Sequence, residues 1–183
     1  NVTVLRGKAR EGMDFFPLQV EYIEKLYAAG MIASSPYVKR EGFPSQEAIL
    51  RGRVIDRALR PRFPKELLDD VQVYIHVLAY EKEHDPMILG FNTAVAALMA
   101  SDIPFEGELA GVRVSLDDSQ NPYLNAADVT SLAYTSKGVV PEMNMVISVD
   151  RDGVVMFDAD MAEVSEEKSI EAVKFARDNA EHI

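Results

Sequence analysis

The sequence predicts an α+β domain in which mixed β-sheets are packed with helices. Three observations carry that reading. "DVQVYIHV", from Asp70, places valine or isoleucine at every second position, the period of a strand. "DPMILGFNTAVAALM", from Asp85, joins a turn to an alanine-rich run whose small residues suit a closely packed helix. "MNMVISVDRDGVVMFDAD" sets two strand-like runs on either side of Asp-Arg-Asp-Gly, a strong hairpin signal. Strands come in runs, including two hairpin candidates, set between three helices, with no internal repeat or low-complexity tract, which places the chain in the α+β class.

Taken in order, "NVTVL" alternates and is rich in β-branched residues, so it reads as a strand, and "REGMD" as a loop. Residues 15–24 read as a second strand that starts extended around Pro17. "AAGMIASSPY" is loop-like, with Gly30, paired serines and Pro36. From Ser45 to Leu59 the spacing predicts a helix, with Ser45 as its N-cap and Pro61 and Pro64 ending it. The strand from Val71 is expected to be buried on both faces in its second half. "GELAGVRVSLDD" and "PYLNA" form a hairpin candidate around Asp117 to Asn121. The last helix, in "SEEKSIEAVKFARDNAEHI", is N-capped by Ser165 and carries Glu166 and Glu167 in its first turn.

A length of 183 residues suits one domain with a core of ordinary size. Cysteine is absent, so disulfides, thiolate chemistry and cysteine-based zinc sites are excluded. His76, His84 and His182 are scattered and make no metal-ligand spacing. No apolar run approaches the length needed to span a bilayer, and no signal-peptide pattern is present, so a cytoplasmic protein without a membrane partner is expected. The chain opens on Asn1 within a strand-like run, which suggests a fragment of a longer protein.

The charge is unevenly placed. The chain carries a formal net charge of −11, yet the stretch from Lys39 to Lys65 holds eight basic residues against three acidic ones. At 100° per residue, Arg53, Arg57 and Arg60 fall within an arc of about 60°. Val54, Ile55, Ala58 and Leu59 take other positions around the helix and can form its buried side, and Asp56 is placed to orient one arginine. A solvated face with an internal ion pair would explain such a stripe. Arginine rather than lysine, with Lys39, Arg40 and Arg62 nearby, shifts the balance toward a polyanion site, because its planar fork matches phosphate. Upstream, Tyr37 stands beside Lys39 and Arg40, a ring for a base next to cations for phosphates; a Tyr tucked against the fold is the other reading. Asp158 and Asp160 share one face of a strand and could hold Mg²⁺, although a solvated strand end explains them better. No phosphate-binding P-loop, dinucleotide fingerprint or zinc-protease motif is present, and no Ser-His-Asp set can be argued.

Five segments in order, "REGMDFFPLQVEYIEKLYAAGMI", "KREGFPSQEAILRGRVIDRALRPRFP", "DDVQVYIHVLAYEKEHDP", "SDIPFEGELAGVRV" and "VSEEKSIEAVKFA", together resemble the first RNase PH-like domain of the polynucleotide phosphorylase family. The resemblance runs from about Lys8 to about Phe175, and "DFFPL", "KREG", "IDR..RP.FP" and "DIPF" are specific in combination. It implies an RNase PH-like fold over residues 1–183, with 164–183 beginning a following helical region. It implies a phosphate-dependent 3′-to-5′ exoribonuclease that releases nucleoside diphosphates and can run backwards as a polymerase. The resemblance further implies a homotrimeric ring threaded by single-stranded RNA that requires Mg²⁺, uses inorganic phosphate as substrate and can join RNA-degradation complexes. It also implies that the catalytic residues and Mg²⁺ belong to a second RNase PH-like domain that this chain does not include. The family's aromatic-aromatic-basic-basic channel loop falls on Tyr37, Val38, Lys39 and Arg40, with one aromatic lost, and its RNA-facing arginine pair on Arg53 and Arg57. Phe43, Ala58 and Arg62 stand where the family usually has a basic residue, a proline and a leucine. The acid of active members falls on Asn144, as expected of a noncatalytic domain. A stand-alone RNA-binding scaffold subunit of an exosome-like ring is the competing reading. Whether the coding sequence continues into a second such domain separates the two.

Overall fold

The computed structural model describes residues 1–9, 12–32, 42–81, 84–117, 119–125 and 142–180. Its first sheet is built around β3 (Asp70–Val77), with β1 (Val2–Gly7) antiparallel on one side and β2 (Leu18–Glu24) parallel on the other. A parallel pair needs a crossover. Here it is made by a 3₁₀ turn over Leu26–Ala29, which runs into the stretch read as loop at Ala28, and by α1 (Gln46–Leu59). β2 begins three residues later than expected, because Phe15, Phe16 and Pro17 precede the ladder.

The second sheet is antiparallel throughout, in the order β5 (Pro122–Leu124), β4 (Ala110–Leu116), β6 (Met143–Val149), β7 (Val154–Met161). Both expected hairpins are present. In the β4–β5 turn, the backbone N–H of Asn121 and then that of Ser119 donate to Asp117 at 2.8 and 2.9 Å. These bonds hold its carboxyl below the ordinary aspartate range.

Between the sheets lie α1 and α2 (Pro86–Met99), the latter capped by Asp85, whose Oδ1 accepts from the Met87 N–H at 2.8 Å. Val54, Ile55 and Ala58 of α1 and Met87, Ile88 and Phe91 of α2 lie against Val146 and Met156 of the second sheet. The far face of that sheet is covered by α3 (Glu166–Asn179), which buries Ala172 and Ala176 against Val112, Val114, Met145 and Ile147. Small residues let this helix come close to the strands.

This layering corrects one expectation. Two-sided burial belongs to β4, where every residue from Gly111 to Leu116 is buried, and not to the second half of β3. β3 alternates to its end, with Tyr74 and His76 half-buried and their rings stacked 6.4 Å apart. Helices cover only one face of the first sheet among the described residues, whereas the second sheet has helices on both. Gly111 is required by that crowding, since a Cβ there would lie 2.0 Å from Phe91 Cδ1. The Asn92 carboxamide pairs with the Gly111 backbone, donating to its C=O at 3.0 Å and accepting from its N–H at 2.7 Å. No helix among the described residues is long and apolar enough to cross a membrane.

Candidate nucleic-acid interface

α1 carries the candidate interface, and its sequence sets which side faces out. Ser45 Oγ accepts from the Ala48 N–H at 3.1 Å, satisfying one orphan donor of the first turn. Ala48, Gly52, Val54, Ile55, Ala58 and Leu59 are buried. Gly52 costs about 1 kcal/mol of helix propensity relative to alanine. It also lets the helix descend onto β2, where an added Cβ would come within 3.3 Å of the Val20 carbonyl oxygen. Fixing that side against the sheet leaves Arg53, Arg57 and Arg60 on the exposed arc, as their spacing predicts.

The three arginines carry different loads. Arg53 is exposed and has no hydrogen-bond or ion-pair partner among the described residues. Arg57 reaches across to β7, with Nη2 3.3 Å from Asp158 Oδ1; both side chains are more than half exposed, so this pair is weak. Arg60 is the most engaged. It forks onto Asp56 at 2.7 and 3.2 Å, as the sequence suggested for that aspartate, and donates to the carbonyls of Phe16 and Leu18 at 3.2 and 3.1 Å. Its guanidinium also lies 5.9 Å from the Phe16 ring centroid. Arg60 therefore ties the helix end to the lead-in of β2. Tyr37, Lys39 and Arg40 lie outside the described residues.

Three further arginines are structural: sequence reasoning missed Arg51 and Arg113, and it counted Arg62 with the polyanion site, where its burial against Asp150 removes it. Arg51, about 120° or more from the stripe, turns inward: Nη1 donates to Glu24 Oε1 at 2.6 Å, and Nη2 binds Glu47. Burial works against its charge, but Glu24, Tyr22 and Glu47 together hold its pKa above the ordinary arginine value. The neighbouring Tyr22 phenol is pushed far up by burial and then by the Glu24 carboxylate. Arg62 pairs with Asp150 between the end of α1 and the β6–β7 turn, both largely buried. Arg113 on β4 donates from Nε to Asp85 Oδ2 at 2.6 Å and from Nη1 to the Asn144 side-chain oxygen. The i, i+4 position of Glu47 hinted at Arg51. Nothing local marked the other two.

Between α1 and the β6–β7 ribbon lies a polar cleft of about 230 Å³, lined among others by Glu47, Arg51, Asp85, Arg113, Asn144 and Asp160. Asp158 and Asp160 do share a face, opposite Val146 and Asn144 in the β6 register. Both are exposed, and Asp158 is paired with Arg57. No three carboxylates or imidazoles converge as metal ligands among the described residues.

Residues 1–104, more than half the chain, match the model of the 3′ exoribonuclease family, domain 1 (RNase PH). The chain belongs to this family. It is 43% identical over its whole length to a polyribonucleotide nucleotidyltransferase of Trichlorobacter lovleyi, of which it covers 25%. It is 42% identical over 94% of its length to the enzyme of that name from Thermotoga maritima, covering 23% of it. The chain thus spans about a quarter of the length of these curated relatives. Among solved structures it is similar to rice (Oryza sativa) Rrp46, with a TM-score of 0.68 at 12% identity, covering 94% of this chain and 74% of that one. It is also similar to a chain of an archaeal exosome core, with a TM-score of 0.65 at 15% identity, covering 100% of this chain and 73% of that one. The RNase PH-like fold expected from the sequence is the fold observed, with mixed sheets and three helices.

Proposed function

We propose that this RNase PH-like domain is the noncatalytic half of the phosphorolytic core of a polyribonucleotide nucleotidyltransferase. In that role it guides single-stranded RNA through the channel of a homotrimeric ring in the cytoplasm. The observation that carries this reading is the exposed arginine arc of α1 in a chain of net charge −11, with Arg53 unengaged among the described residues. An acidic exterior around a basic strip confines a polyanion to the strip. Arg53 and Arg57 are the proposed phosphate contacts, with Arg60 adding charge beside them and Tyr37, Lys39 and Arg40 completing the path. Mg²⁺ and the attacking inorganic phosphate are proposed to bind outside this chain. Asp158 is already paired, and Arg113, the buried cation nearest Asn144, is taken up by Asp85 and the Asn144 amide.

The double variant Arg53→Ala/Arg57→Ala tests the reading. Neither side chain fills core volume, so thermal stability should change little. Binding to a labelled oligoadenylate should weaken, and the slope of log K against log salt should fall by about 0.7 for each phosphate no longer neutralised. Unchanged affinity and slope would reduce the stripe to a solvated face. A second expectation concerns chemistry. The 183-residue chain incubated with poly(A), Mg²⁺ and phosphate should release no ADP, because the family resemblance puts Asn144 at the position of the acid of active members. Sustained ADP release from a preparation free of host nuclease would overturn the noncatalytic assignment.

The scaffold reading also has support in the fold: this one domain covers about three quarters of the rice Rrp46 chain. A coding sequence that stops after this domain would favour it, and one that runs on into a second RNase PH-like domain would favour the enzyme.

A further inference from the structure

The lead-in to α1 presents an aromatic ring that no element among the described residues covers. Phe43 is fully exposed, at 101% of its reference area. Two residues on, the Ser45 cap fixes where the helix starts, so the chain enters α1 from a defined position. The first turns of the helix extend the apolar surface. Ile49 and Leu50 are 52% and 57% exposed, and Pro44 is exposed between them and the ring. A hydrophobic residue just before a cap ordinarily packs onto the fourth helical position. Here that position is Ile49, and it remains open to solvent.

Along the same arc, Ile49 and Leu50 give way to Arg53 and then Arg57, one and two turns further on. The surface therefore runs from an aromatic and aliphatic end to a cationic end. A single exposed ring on an ordinary surface means little. A ring that leads into a strip of phosphate-matching cations, on a chain that is otherwise acidic, matches the chemistry of a single strand: bases for the rings, phosphates for the arginines. A protein partner would be matched by the apolar end alone and would leave the arginines unexplained.

We propose that Phe43 is a base-stacking platform for single-stranded RNA, with its ring taking a nucleobase while Arg53 and Arg57 hold the backbone. The inference rests on the RNA-binding reading of α1 and adds a stacking interaction to it. The chain contains no tryptophan, so Phe43→Trp creates a single emitter. Phe157→Trp is the control, because Phe157 is 59% exposed on β7 and points to the face opposite α1. Both variants are titrated with oligoadenylate at low salt, and binding is measured independently by anisotropy of the labelled RNA.

Emission from Phe43→Trp should be quenched with the midpoint of the anisotropy curve, and that from Phe157→Trp should not change. Phe43→Ala should lose about five- to a hundredfold in affinity, the size of one base–aromatic stack, with an unchanged salt slope and melting temperature. Phe43→Trp that binds RNA without quenching, beside a Phe43→Ala variant of parental affinity, overturns the proposal and leaves the arginine reading intact. Loss of RNA binding from the parent chain itself would remove both. Emission that shifts with protein concentration and not with RNA would place the ring between copies of the chain and overturn the proposal.

Discussion

Arg51→Leu is expected to destabilise the domain by about 3–5 kcal/mol, the usual cost of removing one member of a buried ion pair. The Glu24 side chain is 1% exposed and that of Arg51 13%, so water cannot take over the solvation that the guanidinium gives the carboxylate. The ion pair also joins α1 to β2 through residues 27 apart in sequence. For a chain of this size each kcal/mol moves the midpoint by about 2–4 °C, so the melt should fall by roughly 6–20 °C. Arg53→Leu, two residues away on the exposed arc, should stay within about 0.5 kcal/mol of the parent. The double variant Glu24→Leu/Arg51→Leu should be less destabilised than the sum of its single changes, since it removes the stranded charge along with its partner. Equal melts for Arg51→Leu and the parent would show that Glu24 is adequately solvated without the pair.

That contrast between neighbouring arginines shows where the sequence was legible. Periodicity placed every long strand and helix, because alternation and the 3.6-residue repeat are local properties that tertiary packing here reinforced. Capping was legible for the same reason: Ser45 and Ser165 accept from the third residue of their helices, at 3.1 and 3.3 Å. The exposed arc of Arg53, Arg57 and Arg60 also followed from angle alone. What could not be read were the partners. Arg57 meets Asp158 and Arg62 meets Asp150 across the gap between α1 and the β6–β7 ribbon, a juxtaposition set by the stacking of layers. Arg60 looked like the equal of Arg53, but carbonyl acceptors at Phe16 and Leu18 leave no trace in residue type. The two-sided burial expected of β3 and found in β4 has the same origin. Both strands are rich in valine, and only the number of helices packed on each sheet distinguishes them.

The last expectation concerns Arg113, which fixes the floor of the cleft beside the arginine arc. Arg113→Met should cost about 3–5 kcal/mol, for two linked reasons. Asp85 is 5% exposed and would be left in the interior without its ion-pair partner. Its other oxygen caps α2 through the Met87 N–H, so any shift of Asp85 to recover solvation weakens the start of that helix. The Asn144 amide would lose its donor as well. Asp85→Asn in the Arg113→Met background keeps a capping oxygen and removes the charge, so it should recover a substantial part of the loss in a urea or thermal melt. The pair also bears on function. A guanidinium held by a carboxylate on one side and an amide on the other is poorly placed to take a phosphate, which is consistent with placing the proposed RNA contacts on the exposed cations of α1. If Arg113→Met melts within about 2 °C of the parent, a shift worth under about 1 kcal/mol, while Asp85→Asn alone is severely destabilised, Asp85 acts only as a cap and the ion pair contributes nothing. If instead the double variant recovers what the single one lost, the charge on Asp85 is what Arg113 is there to balance.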